Sequence, residues 1–466
     1  MADLSLIRDG GKINLRRQVS LTAQLAVPAI LAQLSSILMQ YIDASMVGRL
    51  GANESASVGL MASSLWLFTG VCSAVTTGFS VQVAHRLGGK DPEAARAVIR
   101  QGITACLIFS IIITVIGLSI SGVLPSWLRG ADPIKADASV YFAVFISALP
   151  LLTINYLSGG FLRAAGNMKI PTLINILMCV LDIVFNYFLI FPTKEISVFA
   201  HELTIPGAGL GVLGAALGSF CATAVCSVSI FYFLLFKQPD LKLSGAEKGS
   251  FMPTKAVMRR AINISVPMSI QQALYSGAQV MLTTIVSPLG VIATATNALA
   301  VTAESLCYMP GFGIGEAATT LVGQSHGAGR RDLVIRFGHI SVALGIIVMS
   351  IAGALLYIGA PFMMSILTNV PEIIVLGTEV LRIQVWAEPL YAASIVAYGA
   401  FIGVGDALIP AIMNFGSIWV VRIPMAALLA PHYGLHGVWI AMAVELCFRG
   451  SIFLWRMWSK KWLKDV

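Results

Sequence analysis

Long apolar runs separated by short polar turns follow one another along the whole of this 466-residue chain. Many reach about 18 residues or more, the length at which an apolar helix can cross the hydrocarbon core of a bilayer. The pattern therefore predicts an all-α polytopic membrane protein with twelve transmembrane helices. The predicted spans, numbered 1 to 12, are 22–48, 56–84, 98–124, 138–162, 170–193, 208–236, 261–288, 293–324, 334–363, 374–402, 408–430 and 435–456.

The composition supports a membrane protein. The chain is 57% hydrophobic and 11% charged, with a mean hydropathy of +0.85, and a soluble protein of this length needs more charge to cover its surface. Seven cysteines lie in hydrophobic segments without CxxC or metal-binding spacing, so we interpret them as small core residues. The N-terminal segment lacks a cleavable signal pattern, and we expect span 1 itself to target the chain to the membrane.

Lysine and arginine sort by side of the membrane. If residues in the first or last three positions of a span are counted with the adjoining connection, 23 of the 30 lie in the two terminal segments and in the 2–3, 4–5, 6–7 and 8–9 connections, and three lie deeper within spans. The opposite side holds four: Arg49, Arg129, Lys135 and Lys194. The positive-inside rule then predicts a multi-pass plasma-membrane protein with both termini in the cytoplasm (the inner membrane in a Gram-negative bacterium). The net charge of +8 is explained by topology and by contact with the lipid bilayer, so nucleic-acid binding is not needed.

An internal repeat divides the chain in two. Prolines, glycines and polar residues recur at an offset of 239 residues; the pairs include Pro28 and Pro267, Gly88 and Gly327, Pro150 and Pro389, and Asn175 and Asn414. Six spans per half is an even number, so the halves share one orientation and form two pseudo-symmetric six-helix lobes. We predict an N-terminal lobe at 1–236, a cytoplasmic linker at 237–260 and a C-terminal lobe at 261–466. Two lobes around a midplane cleft suit alternating access.

Several segments, in this order, resemble the MATE (multidrug and toxic compound extrusion) family. They are VPAILAQLSSILMQYIDASMVGRLG in span 1, GFSVQVAHRLGGKD after span 2, FLRAAGNMKIPTLIN before span 5, ATTLVGQSHGAGRRD after span 8 and GAFIGVGDALIPAIMN before span 11. The resemblance implies a secondary active antiporter, and we expect the protein to be a monomer. Such an antiporter exports amphipathic, mostly cationic drugs in exchange for Na⁺ or H⁺, and it needs no cofactor besides the coupling ion.

The acidic residues within the spans are the candidates for coupling. Ionised at the centre of a bilayer, a lone aspartate costs about 2.5–3.5 kcal/mol even on the lenient insertion scale, so each has a partner or a function. In the family an acidic residue in the YIDASMVGRLG motif couples cations, which assigns that role to Asp43. The family's helix 5 pattern maps onto Asp182 and Asn186 in LDIVFNYFLIFP, with the usual Asn–Asp order reversed and Pro192 in place of glycine. A helix 6 hydroxyl, here Ser219, completes the set.

These residues leave the coupling ion open. Their oxygens could bind Na⁺, with Asp43, Asp182 and Asn186 as the metal ligands. Two neighbouring carboxylates could equally share a proton. The repeat positions of the two aspartates in the second half are Leu282 and Val421, which predicts that coupling resides in the N-terminal lobe.

The remaining polar residues predict a substrate cavity, with tyrosines offering cation–π surfaces. Its predicted members are Gln40, Gln271, Gln272, Tyr275, Glu304, Glu316 and Glu388. Glu388 could instead pair with Arg422. Glu445 and Arg449, four residues apart, are predicted to form an intrahelical pair.

Two alternative functions fit the sequence less well. A flippase for a lipid-linked or polyanionic substrate has a similar architecture, but it needs a strongly cationic cavity. Away from their ends, the spans hold seven acidic residues against three basic ones. A membrane-embedded enzyme needs a nucleophile–base pair or a metal cluster, and the sequence offers neither these nor a Walker motif. We therefore predict that the protein is not an enzyme.

Overall fold

Helices form most of the protein. The computed structural model describes residues 4–11, 13–198, 201–243 and 249–463, with side chains described outside 194–205. A short helix, Ser5–Arg8, precedes the spans. Spans 1 to 12 are formed in order by Leu15–Gly48, Ala52–Gly88, Pro92–Ile120, Asp132–Ser147 with Leu149–Ala164, Lys169–Ile190, Gly211–Phe236, Lys255–Val286, Val291–Gly327, Arg331–Leu367, Pro371–Gln384 with Glu388–Gly403, and the continuous run Leu408–Gly416, Ser417–Arg422 and Ile423–Ser459, which supplies the last two.

The number of crossings follows from helix length and from the breaks. Among the described residues, eight helices are long and apolar enough to cross a membrane, and the pair in span 4, bent by 44°, makes nine. The run Leu408–Ser459 has 52 residues, or about 78 Å of helix against a hydrocarbon core of about 30 Å. It breaks at Gly434, where φ is 58° and ψ is −140°, and so crosses twice. Lys255–Val286 and Val291–Gly327 complete the twelve.

One β-hairpin departs from the all-helical expectation. The sequence analysis predicts no secondary structure between spans 5 and 6, but strands β1 (Pro192–Val198) and β2 (His201–Ala208) pair there as an antiparallel ribbon. Span 5 ends at Ile190, just before Pro192, whose ring cannot continue a helix. The hairpin thus links spans 5 and 6 outside the helical bundle. In the next connection, span 7 begins at Lys255, inside the stretch predicted as the 237–260 linker.

Each lobe has its own apolar core, and a third core lies between the lobes. Phe79, Phe161 and Leu162 centre the N-terminal core. Trp439 and Leu381 lie in the C-terminal core. The third core joins Leu21, Leu25 and Ala29 of span 1 to Ile314 and Leu321 of span 8 and Phe401 of span 10. Burial of this shared surface holds the two lobes together.

The lobes are closed at one end of the cleft, which we call the terminal face because span 1 begins and span 12 ends there. The backbones of spans 2 and 8 touch at this face. A Cβ atom on Gly88 would lie 2.1 Å from the Gln324 carbonyl oxygen, and one on Gly327 would lie 1.9 Å from the His85 carbonyl oxygen. Only glycine permits this approach. Toward the other end, the distal face, span 2 exposes many more side chains.

The first described residues, 4–11, cross the terminal face as a strap. Ile7 is fully buried in the core between the lobes. The polar contacts of the strap reach both lobes and the linker: Arg8 to Gln324 (3.4 Å) and to Asp240 (3.5 Å), Asp9 to Lys90 (3.1 Å), and the Gly11 carbonyl to Arg330 (2.9 Å). The sequence analysis predicts no contact for this N-terminal segment. The structure shows that it is part of the closed face.

A buried ion network fixes the C-terminal lobe. The Glu445 carboxylate accepts hydrogen bonds from Arg422 (2.9 and 2.5 Å), from Arg449 (2.8 and 3.0 Å) and from the Ser417 hydroxyl. The predicted Glu445–Arg449 pair is confirmed. The alternative pairing of Glu388 with Arg422 is wrong, because the π-helical turn Ser417–Arg422 carries the guanidinium to Glu445 on span 12 instead.

Closure at the terminal face predicts the effect of Gly88→Ala. We expect an added methyl group to push spans 2 and 8 apart and to destabilise the closed form by about 1–3 kcal/mol, as overpacking does in cores. A lower melting temperature of the purified protein checks this. The matched control is Gly59→Ala on the same helix, where a Cβ meets nothing within 4 Å. Equal melting temperatures for the two variants would show that the close approach does not matter.

The ion network predicts a large cost for Glu445→Gln. Neutralising this side chain leaves two buried guanidinium groups around one weak acceptor, and breaking such a buried pair costs about 3–5 kcal/mol. We expect a sharp loss of folded protein, measured by size-exclusion chromatography after heating. Glu379→Gln is the control, since Glu379 is half exposed and bonds His436 at the surface. A Glu445→Gln variant as heat-resistant as this control would contradict the prediction.

Candidate functional site

One side-chain amide joins two carboxyl groups within the N-terminal lobe. Asn186 on span 5 donates from Nδ2 to Asp43 Oδ1 on span 1 at 2.9 Å and to Asp182 Oδ2 at 3.0 Å. Asp182 and Asn186 lie one turn apart and on the same face of span 5. Both are 1% exposed, whereas Asp43 is half-buried at the edge of the cluster. The predicted helix 1 and helix 5 residues therefore meet in space.

Span 6 closes the cluster from a second side. A Cβ on Gly218 would lie 2.0 Å from Asn186 Oδ1 and 3.0 Å from its backbone nitrogen, so a glycine is needed for this approach. The next residue, Ser219, interacts through its side chain with Asp182. All four predicted coupling residues thus lie together, between spans 1, 5 and 6.

The cluster has more acceptors than donors. Asp182 Oδ1 and Asn186 Oδ1 are buried and have no hydrogen-bond partner among the described residues. A buried acceptor without a partner costs about 1–3 kcal/mol, and a bound cation or proton would remove that cost. Among the described residues no group of three or more His, Cys, Asp or Glu side chains could hold a metal ion. A cation at this site would therefore use the amide and hydroxyl oxygens together with the two carboxylates, a donor set that fits a hard ion such as Na⁺.

Sequence reasoning missed Tyr141 on span 4. Its side chain interacts electrostatically with both Asp43 and Asp182, and it packs against the apolar cluster of Val47 and Ile190. No motif marks this tyrosine. A model of which helix lies beside spans 1 and 5 would have been needed to find it.

The predicted substrate residues fall into different environments. Gln40 and Tyr275 are exposed, and the Tyr275 hydroxyl accepts a hydrogen bond from Gln279 at 3.0 Å. Gln272 packs against span 2 of the other lobe, where a Cβ on Gly70 would lie 2.5 Å from its Cγ. Gln271, on the same helix, interacts with Tyr398 of span 10. Gln40 and Tyr275 are thus the best placed of these to meet a ligand.

Glu304 lines a small cavity inside the C-terminal lobe. The cavity measures about 60 Å³, far below the roughly 300–1,000 Å³ of sites for drug-sized ligands. Gln384 donates to Glu304 Oε1 at 2.9 Å. Other lining residues are Tyr275, Gln279, Tyr308, Tyr391 and Arg422. In this conformation the cavity has room for water molecules or a small ion and none for a drug.

Glu316 and Glu388 lie outside that cavity. Glu316 faces the other lobe, 3.7 Å from Arg163 and 3.3 Å from the amide of Gln33. Glu388 is fully buried beside Cys307, and neither of its carboxyl oxygens has a hydrogen-bond partner among the described residues. A substrate role for either residue stays a prediction, and it would require a different conformation.

Known proteins share this architecture. The chain is 26% identical over 444 residues to the "Probable multidrug resistance protein NorM" of Thermotoga maritima, covering 95% of this chain and 92% of the relative. It is 24% identical to the "Uncharacterized transporter YisQ" of Bacillus subtilis, covering 91% and 90%. Among solved structures, a multidrug resistance MATE family transporter in an outward-facing conformation superposes with a TM-score of 0.89 at 21% identity, over 100% of this chain and 99% of the other.

The family assignment depends on a sequence profile that matches twice. The MatE profile covers residues 28–188 and again residues 267–428, together more than half of the chain. The two matches begin at Pro28 and Pro267, the first pair in the internal repeat, and they confirm the resemblance seen in the sequence. With twelve spans in two lobes and a profile match in each lobe, this multi-pass membrane protein belongs to the MatE family.

Proposed function

We propose that this protein is a secondary active multidrug efflux antiporter that exports amphipathic, mostly cationic compounds in exchange for Na⁺ or H⁺. The observation that carries the proposal is the Asn186 bridge between Asp43 and Asp182 with two buried oxygens left unmatched. Relatives named as multidrug resistance proteins over almost the whole chain support the substrate class.

The cluster acts as an exchangeable cation site. With the site empty, two neighbouring carboxylates repel each other in a region of low dielectric, which favours the uptake of a cation or a proton. Asn186 holds both acids in place through either state, because its two N–H groups bond one carboxylate each. Ser219 and the Asn186 oxygen supply the neutral ligands. Binding thus removes the repulsion, and release restores it.

Alternating access gives the direction of export. We assign the terminal face to the cytoplasm, from the 23-to-4 distribution of lysine and arginine. The structure, closed at that face, then represents the form open to the outside, from which drug leaves and the coupling ion enters. Entry of the ion down its gradient supplies the free energy for the return to the inward-open form.

Cationic cargo fits the exposed part of the cleft better than an anion. Tyr275 offers an aromatic face to a cation, and Gln40 lies exposed on the opposite lobe. Arg422 is the basic residue that lines the C-terminal cavity, but it already bonds Glu445 at 2.5 Å. An arginine held in this way is a poor anchor for a polyanionic head group, which weakens the flippase alternative.

The first test is Asp43→Asn in proteoliposomes. We expect the variant to fold and to lose ion-driven drug efflux almost completely, because an amide neither carries the exchangeable charge nor repels Asp182. Efflux is followed under an imposed Na⁺ gradient and, separately, under an imposed pH gradient, and the gradient that drives the unmodified protein identifies the ion.

Asp132→Asn is the matched control for Asp43→Asn. Asp132 is an exposed aspartate at the start of span 4 that bonds Lys135, and its variant should transport at the unmodified rate. Undiminished ion-driven efflux by Asp43→Asn would refute the assigned coupling site.

The second test is Glu304→Gln. If the carboxylate of the C-terminal cavity meets the charge of the drug in the inward-open form, its loss should raise KM for cationic drugs about tenfold, equivalent to about 1.4 kcal/mol. KM for uncharged drugs and the ion concentration at half-maximal rate should stay unchanged. Glu372→Gln, an exposed glutamate of the same lobe, controls for the loss of one charge. Equal effects on charged and uncharged drugs would exclude this role.

A further inference from the structure

Tyr41 links the two lobes close to the proposed cation site. It lies two residues before Asp43 on span 1, and its hydroxyl donates to the backbone carbonyl of Thr302 on span 8 of the other lobe. The same hydroxyl lies 3.2 Å from Ser305 Oγ. A single side chain of the N-terminal lobe thus holds one turn of a C-terminal helix.

The turn that Tyr41 holds contains Glu304. Thr302 and Ser305 stand on either side of this glutamate, whose carboxylate bonds Gln384 and lines the C-terminal cavity. On its own side, Tyr41 shares a helical turn with Asp43, which Asn186 holds at 2.9 Å. The acids of the two lobes are therefore joined through one hydroxyl group.

Two other contacts between spans 1 and 8 lie nearer the terminal face. A Cβ on Gly313 would lie 2.6 Å from the Ile30 nitrogen, and Gln33 donates to Glu316 at 3.3 Å. These contacts are separated from Asp43 by two or more helical turns. Of these three contacts, the one made by Tyr41 lies closest to the Asp43 turn and is the one that a shift of that turn would disturb first.

We propose that Tyr41 is a positioning residue that transmits the occupancy of the cation site to the cavity around Glu304. The inference rests on the proposed function, since it requires an ion at Asp43 and a substrate in the other lobe. Loading the cation site changes the position of the Asp43 turn, the hydroxyl of Tyr41 moves with that turn, and the segment of span 8 that carries Glu304 follows. One hydrogen bond made in only one of two states can contribute about fivefold to such a coupling.

Tyr41→Phe tests this by thermodynamic linkage. The Kd of a fluorescent cation, ethidium, is measured on the purified full-length protein without and with a saturating concentration of the coupling ion. The concentration of the coupling ion at half-maximal binding is measured without and with ethidium. The two ratios must agree, because coupling between binding sites is reciprocal. We expect Tyr41→Phe to bring both ratios about fivefold closer to one, with the Kd of ethidium in the absence of the ion and the melting temperature unchanged.

Two further variants make the result specific. Tyr187 follows Asn186 in the sequence, and its ring packs on Phe188 and Phe191 of its own lobe. Tyr187→Phe removes its hydroxyl and should keep the coupling ratio of the unmodified protein. Ser305→Ala removes the span 8 hydroxyl of the contact made by Tyr41 and should also bring the coupling ratio closer to one. It also provides the test if Tyr41→Phe does not fold.

The outcomes separate this inference from the proposed function. If the unmodified protein shows no coupling between ethidium and either Na⁺ or H⁺, the proposed antiport fails, and the role of Tyr41 fails with it. If the unmodified protein shows coupling and both Tyr41→Phe and Ser305→Ala retain the full ratio, only the Tyr41 inference is overturned. A lower melting temperature with an unchanged ratio would likewise reduce Tyr41 to a packing residue.

Discussion

The hydrogen bonds of Asn186 to Asp43 and Asp182 are the interaction on which the chemistry of this protein depends. An asparagine amide has two N–H donors, and here each is used on a different carboxylate. Among the described residues the other Asp182 oxygen has no hydrogen-bond partner, and the amide's own oxygen faces the surface of span 6 at Gly218. The bridge therefore holds two acids together without neutralising them. The proposed cation site depends on this imbalance, because a bound cation or proton would neutralise the unmatched acceptors.

In the C-terminal lobe, the buried carboxylate of Glu445 is stabilised in a different way. Glu445 accepts four hydrogen bonds from two arginines and one from a serine hydroxyl, so the carboxylate is fully satisfied by permanent partners. At the repeat position of Asp43 stands Leu282, which is buried in an apolar core. A carboxylate satisfied by fixed guanidinium groups has nothing to exchange. The two lobes share an architecture, but the Glu445 network leaves no carboxylate oxygen unmatched, whereas the Asp43–Asp182 cluster does.

Features that depend on the period and spacing of residues could be predicted from the sequence. Contacts that depend on how one helix is rotated against its neighbour could not. Apolar runs predicted the spans, the offset of 239 residues predicted the lobes, and the four-residue spacing of Asp182 and Asn186 placed them on one face. The partner of Arg422 could not be predicted, because the π-helical turn at Ser417–Arg422 shifts every later side chain relative to a regular helical period.

The contacts missed from the sequence share a second physical cause. The strap through Ile7, the cover provided by Tyr141 and the link through Tyr41 all join segments that are far apart in the chain. Their residue types are ordinary for an apolar helix or a polar terminus, so only the packing of the helices shows what they do. The hairpin between spans 5 and 6 was missed for a different reason: its strands alternate polar and apolar residues, as in EISV and ELTI, but over only four residues each, which is a weak signal beside the long apolar runs.

The contacts that close the terminal face follow the internal repeat, unlike the acidic cluster at Asp43. Gly88 approaches the carbonyl of Gln324, and Gly327 approaches the carbonyl of His85. Gly327 is the repeat equivalent of Gly88, and Gln324 is the repeat equivalent of His85, so each lobe presents the same surface to the other. A contact of this kind is made from backbone atoms and carries no ion pair of its own. It can therefore separate and re-form without exposing an unpaired charge, which is what a face that must open and close requires. The strap, with Arg8 and Asp9, adds the charged contacts that bias the face toward closure. In the proposed antiport the moving surfaces follow the repeat, whereas the exchangeable charge at Asp43 breaks it. Both are needed in that proposal, because a symmetric pair of lobes alone has no reason to favour one ion-bound state over another.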